Sequence, residues 1–162
     1  MMYASARTST PKFPQLAAVT TARLDRFRKD HAKWMRADPL ERQDRAVTPA
    51  DLKDRNLILF GDPGSNRLIG QIASKLPVRW SGATFTVGGQ TYNADSHLLV
   101  LVAPNPLNPN RYVVLNSGHT FGETEFKGTN ALLYPRVGDW AVFNAAGELV
   151  GTGLFNESWD DV

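Results

Sequence analysis

The run Leu57-Ile58-Leu59-Phe60, closed abruptly by Gly61-Asp62-Pro63-Gly64-Ser65-Asn66, constrains this chain more than any other feature. Four consecutive apolar residues between turn formers read as a strand covered on both faces, so layers must lie above and below it. The residues after the break, Leu68, Ile69, Ile72, Ala73 and Leu76, recur at the spacing of one helical face until Pro77 stops them. Val78-Arg79-Trp80 then predicts a second strand, parallel to the first, which would complete a right-handed βαβ unit.

Downstream the pattern changes from crossover to hairpin. Ala83–Val87 and Gln90–Asn93 flank Gly88-Gly89, a two-residue turn signal. Leu98–Val102 and Tyr112–Leu115 are separated by too few residues for a parallel crossover, so they are expected to pair antiparallel. Gly122–Leu133 is helix-compatible, and Trp140–Phe143 with Glu148–Phe155 predicts a closing hairpin. The fold class expected is α/β, a three-layer Rossmann-like or flavodoxin-like domain with a mixed sheet, a βαβ start and antiparallel hairpins after it.

Upstream of the sheet, Leu24, Phe27, Trp34 and Met35 predict an amphipathic helix from Thr20 to about Ala37, ended by Asp38-Pro39. His31 falls near the same stripe and is expected to pack at the helix edge. Thr48-Pro49-Ala50-Asp51 supplies a cap, a proline at the first helical position and an acid in the first turn, the signature of a short helix. Residues 1–19, rich in Ser, Thr, Ala and Pro near their start, are expected to be a disordered lead-in. Residues 20–162 are expected to be one domain, helical over 20–55 with a sheet-containing core over 56–162.

The 162 residues suffice for a single core, and the chain has no cysteine, which excludes disulfide and thiolate chemistry. No apolar run approaches the ~20 residues of a spanning helix, and Met1–Arg7 lacks a signal-like apolar stretch, so a soluble domain without membrane contact is expected. Lys and Arg concentrate before position 57, but Asp25, Asp30, Asp38 and Glu41 interrupt them. That interleaving reads as a solvated face and not as a nucleic-acid stripe.

Chemistry is expected where strands end and helices begin. Asp62, Gly64, Ser65 and Asn66 leave the buried strand as candidate ligand-binding residues, and the N–H groups of Ser65, Asn66 and Arg67 are placed to hold an anion at a helix start. Asn116, Ser117, Gly118 and His119 leave the strand ending at Leu115. If the two strands run parallel, both segments meet at one crevice. Neither segment is a dinucleotide fingerprint or a Walker loop. A serine hydrolase using Ser117 or Ser65 with His119 and Asp62 is the alternative reading, but Ser65 lies in Pro-Gly-Ser-Asn-Arg and Ser117 in Leu-Asn-Ser-Gly-His, neither of them a nucleophile elbow. His119 and Glu123 stand four apart, with Glu125 and His97 as further donors, yet no third ligand sits at diagnostic spacing. Neither a metal nor a cofactor is expected. Trp159, beside Asp160 and Asp161, is the one aromatic residue expected to cover a neighbouring domain.

Three long strings carry a resemblance. Asn56–Asn66 with Lys75-Leu76-Pro77, then Arg111–Phe121, then Thr129–Val142 resemble a region found after the catalytic domain in bacterial prolyl-oligopeptidase-like α/β-hydrolases. The likeness covers roughly positions 45–160. It implies a non-catalytic accessory module whose partner is an α/β-hydrolase catalytic domain, because the catalytic triad of such proteins belongs to that preceding domain. The same module is expected to take a small polar or anionic ligand at the strand ends.

Overall fold

The computed structural model describes residues 14–117 and 138–160. The chain begins with helix α1 (Pro14–Met35), passes through a 3-10 turn (Asp44–Ala46) and helix α2 (Pro49–Asp54), and enters strand β1 (Leu57–Leu59). Helix α3 (Arg67–Ile72), extended by a 3-10 turn (Ala73–Lys75), leads to β2 (Arg79–Ser81), β3 (Thr84–Val87) and β4 (Gln90–Asn93). Strands β5 (His97–Asn105), β6 (Asn108–Leu115), β7 (Trp140–Asn144) and β8 (Leu149–Gly153) follow. The expected helix over Gly122–Leu133 lies outside the described residues.

Five strands form a mixed sheet in the order β1-β6-β5-β7-β8, and β2-β3-β4 form a separate antiparallel sheet. β1 runs parallel to β6, with Leu57 opposite Val113 and Leu59 opposite Leu115, while β5 pairs antiparallel with both β6 and β7. The continuous apolar run of β1 is explained by what covers it. Leu57 and Leu59 pack into the main core with Leu68, Ile69 and Ile72 of α3, whereas Ile58 and Phe60 pack against Leu24 and Phe27 of α1. Burying each of these large side chains contributes about 1.5–3 kcal/mol.

The expected βαβ closure does not form. Arg79, Trp80 and Ser81 pair antiparallel with Thr86, Phe85 and Thr84 in the second sheet. Arg79 and Ser81 are exposed and Trp80 is half-buried, so β2 has one covered face and belongs to a layer over the core. The Gly88-Gly89 turn forms as expected, with φ of 58° and 68° at the two glycines. The segment between β5 and β6 is shorter than the sequence implied, because pairing extends to Asn105 opposite Asn108.

Two glycines meet the buried Trp140 indole. A Cβ at Gly88 would lie 2.3 Å from the ring, and one at Gly153 would lie 2.5 Å from it. The indole therefore joins the β3–β4 hairpin to β8 only because both positions lack a side chain. Trp159 is half-buried and packs beside this domain's own aromatic groups, 6.0 Å from Tyr112 and 6.4 Å from Phe155 between ring centroids.

Helix α1 begins at Pro14, inside the segment expected to be a lead-in, and ends at Met35. Proline at a helix start costs no hydrogen bond, since the first N–H groups have no intrahelical acceptor. Buried His31 places Nδ1 2.7 Å from the Ala37 carbonyl and its ring edge against Phe27. A carbonyl only accepts, so Nδ1 carries the proton and the histidine pins the chain leaving the helix. Among the described residues no helix is long and apolar enough to cross a membrane.

Candidate functional site

The two segments singled out in the sequence do meet at one rim. The parallel pairing of β1 and β6 brings Gly61 and Asn116 together at their carboxyl ends, and the antiparallel β5 delivers Leu99 to the same edge. Asn116 is 2% exposed and has a φ of 52°, a left-handed conformation that Asn tolerates better than most residues. Its Oδ1 accepts the Gly61 N–H at 2.7 Å, and its Nδ2 donates to the Gly61 and Leu99 carbonyls at 2.9 Å each. Both amide hydrogens are thereby used. Asn116 is a clasp across three strands.

Asp62 organises the turn that follows β1. Its Oδ1 accepts the N–H groups of Gly64 at 2.7 Å and Ser65 at 3.0 Å, and its Oδ2 accepts the Ser65 hydroxyl at 2.8 Å. The Ser65 Oγ in turn accepts the Asp62 N–H at 2.9 Å. Gly61 must be glycine for this turn to close: its φ is +123°, and a Cβ there would stand 2.7 Å from the Ser65 Oγ.

Asn66, and not the neighbouring Ser65, caps the following helix. The Asn66 Oδ1 accepts from Leu68 N at 2.9 Å and Ile69 N at 3.2 Å, while Nδ2 donates to the Phe60 carbonyl. Ser65 is unable to cap because its hydroxyl is held by Asp62. The donors expected to cradle an anion are also engaged: Asn66 N bonds the Asp62 carbonyl, and Arg67 N bonds the Asp44 carboxylate at 2.7 Å.

Above this rim lies a cleft of about 390 Å3, within the range of small-molecule sites. Helix α1 builds one wall with Leu16, Thr20, Thr21 and Leu24. Phe60, Gly61, Leu99 and Asn116 form the base, and Asp62 with Ser65 edges it. Trp80, Ala94 and His97 contribute from the other side. Sequence reasoning missed the α1 wall, Trp80 and this role of His97. The Nδ1 of His97 sits 3.0 Å from both the Asn93 carbonyl and the Ser96 Oγ.

Ser117 is half-buried just beyond Asn116 and is not among the described residues lining the cleft. Gly118, His119, Glu123 and Glu125 lie outside the described residues. Every hydrogen bond of the Ser65 side chain goes to Asp62, so among the described residues no histidine reaches its hydroxyl. Among the described residues no group of three His, Asp or Glu is placed to hold a metal ion.

Fold and rim together define an α/β protein with a ligand-sized recess at the carboxyl edge of its parallel strands. Compared with protein-family models, curated proteins and solved structures, the chain matches none.

Proposed function

We propose that the chain is a non-catalytic accessory module and that its rim cleft binds a small polar ligand. One observation carries this reading: the Asn116 carboxamide and the Ser65 hydroxyl are spent on building the rim. Asn116 has no amide hydrogen left to offer, and the Ser65 hydroxyl donates to Asp62 and accepts from the same residue. A serine nucleophile needs a base that takes its proton during attack, usually a histidine. A carboxylate locked by two backbone N–H groups instead stiffens the turn. What remains is a recess of ligand size.

The doubly wound, Rossmann-like or flavodoxin-like character belongs to the same reading. It is supported by α1 on one face of β1, α3 on the other, and the parallel β1–β6 pair whose carboxyl edge carries the cleft. The association with an α/β-hydrolase catalytic domain rests on the three strings that resemble the region following such domains.

The reading predicts that a fluorophosphonate probe leaves the purified chain unlabelled. Labelling that disappears in Ser65→Ala or Ser117→Ala would overturn it in favour of an autonomous hydrolase. Amide shifts at Gly61, Leu99 and Asn116 on titration with small polar fragments are the positive signature.

A further inference from the structure

We propose that the ligand of this cleft is a small amine, with an apolar body in the recess and its protonated nitrogen at the Asp62 carboxylate; this rests on the reading of the cleft as a binding site. Asp62 is the only Asp, Glu, Lys or Arg among the described residues lining it. A carboxylate offers about four acceptor positions. Both on Oδ1 are taken by the N–H groups of Gly64 and Ser65, but Oδ2 receives only the Ser65 hydroxyl. One acceptor position on the Oδ2 is left, and Asp62 lines the recess.

The remaining lining favours the same chemistry. Leu16, Leu24 and Leu98 provide apolar walls, and Phe60 and Trp80 provide aromatic groups, which attract cations through the ring quadrupole. Thr20 and Gln43 add neutral polar contacts for a substituent. An anionic ligand would meet the opposite situation. The helix-start N–H groups that would receive it are bonded to Asp62, Asp44 and Asn66, and its own charge would face that of Asp62. A like-charge contact opposes binding, whereas a charge-assisted N–H to carboxylate bond is among the stronger hydrogen bonds.

Three probes that share one body separate charge from shape: 2-phenylethylamine, 2-phenylethanol and phenylacetate. Calorimetric titration of the full chain at low salt is expected to give an amine affinity roughly tenfold or more above that of the alcohol, and weaker binding still for the acid. In Asp62→Asn the amine is expected to lose its advantage over the alcohol. Because the comparison among probes uses the unmodified protein, it stands even if that variant folds poorly. Equal affinities for amine and alcohol overturn the amine assignment and leave the cleft reading intact, as does preferred binding of the acid. Absence of binding by all three up to about 10 mM overturns the cleft reading itself.

Discussion

The side chain of Asn116 and the backbone of Gly61, 55 residues apart, exchange two hydrogen bonds of 2.7 and 2.9 Å at the carboxyl ends of two parallel strands. The same carboxamide reaches the Leu99 carbonyl on a third strand. Asn116→Ala leaves one N–H and two carbonyls at a buried rim without their partner. A loss of about 3 kcal/mol in urea denaturation is expected, since each unsatisfied buried group costs about 1–3 kcal/mol. Asn116→Asp should be at least as costly at neutral pH, because a carboxylate oxygen would replace the donor facing Gly61 and Leu99. A loss below about 1 kcal/mol in both variants would show that the clasp is dispensable.

Gly61→Ala tests the turn directly. The new Cβ would approach the Ser65 Oγ to 2.7 Å in a backbone conformation that L residues avoid. A cost of about 1–3 kcal/mol is expected, accompanied by amide shifts at Asp62 and Ser65. Unchanged shifts would mean that the turn tolerates a side chain.

The cap of α2 makes a pH-dependent prediction. Thr48 and Asp51 form a reciprocal capping box, with Asp51 N donating to the Thr48 Oγ1 and Thr48 N donating to the Asp51 carboxylate. The Thr48 N–H and hydroxyl, both donating to Asp51 Oδ2 and aided by Arg42 and Arg55, hold the Asp51 carboxyl below its ordinary value. A carboxyl depressed on folding contributes stability above its unfolded value, and the contribution is lost as pH falls through the folded value. Thr48→Ala should therefore cost about 1 kcal/mol at neutral pH. The gap between wild type and variant should narrow as acid protonates Asp51. A gap independent of pH would assign the effect to the Asp51 N–H bond to the Thr48 Oγ1 and not to the carboxylate.

At the other end of the sheet, Gly153→Ala drives a Cβ to 2.5 Å from the Trp140 ring. Overpacking of this kind costs about 1–3 kcal/mol. The expected signature is a lower melting temperature together with changed near-ultraviolet circular dichroism, as the indole loses its fixed packing. A variant with the melting temperature and spectrum of wild type would place the ring elsewhere.

Local chemistry was legible in the sequence where one residue type has one use. Pro49 after Thr48, two glycines between alternating segments and an apolar run too continuous for a one-sided strand each led to the element observed. Tertiary choices were less visible. Val78-Arg79-Trp80 reads as a buried strand by its neighbours, yet the alternation of Arg79, Trp80 and Ser81 carries the signal of a one-faced strand in the second sheet. Ser65 and Asn66 are both good caps, and the choice falls on Asn66 because Asp62 captures Ser65, a competition no propensity encodes. The start of α1 was hidden by Ala and Thr, which are compatible with both linker and helix. That is why the wall at Leu16, Thr20 and Thr21 went unread.

The recess borrows that wall from a helix held to the sheet by Leu24 and Phe27 against Ile58 and Phe60. Occupancy and the seating of α1 are therefore linked equilibria: whatever fills the recess draws the N-terminal helix down, and loosening the helix releases the occupant by the same free energy.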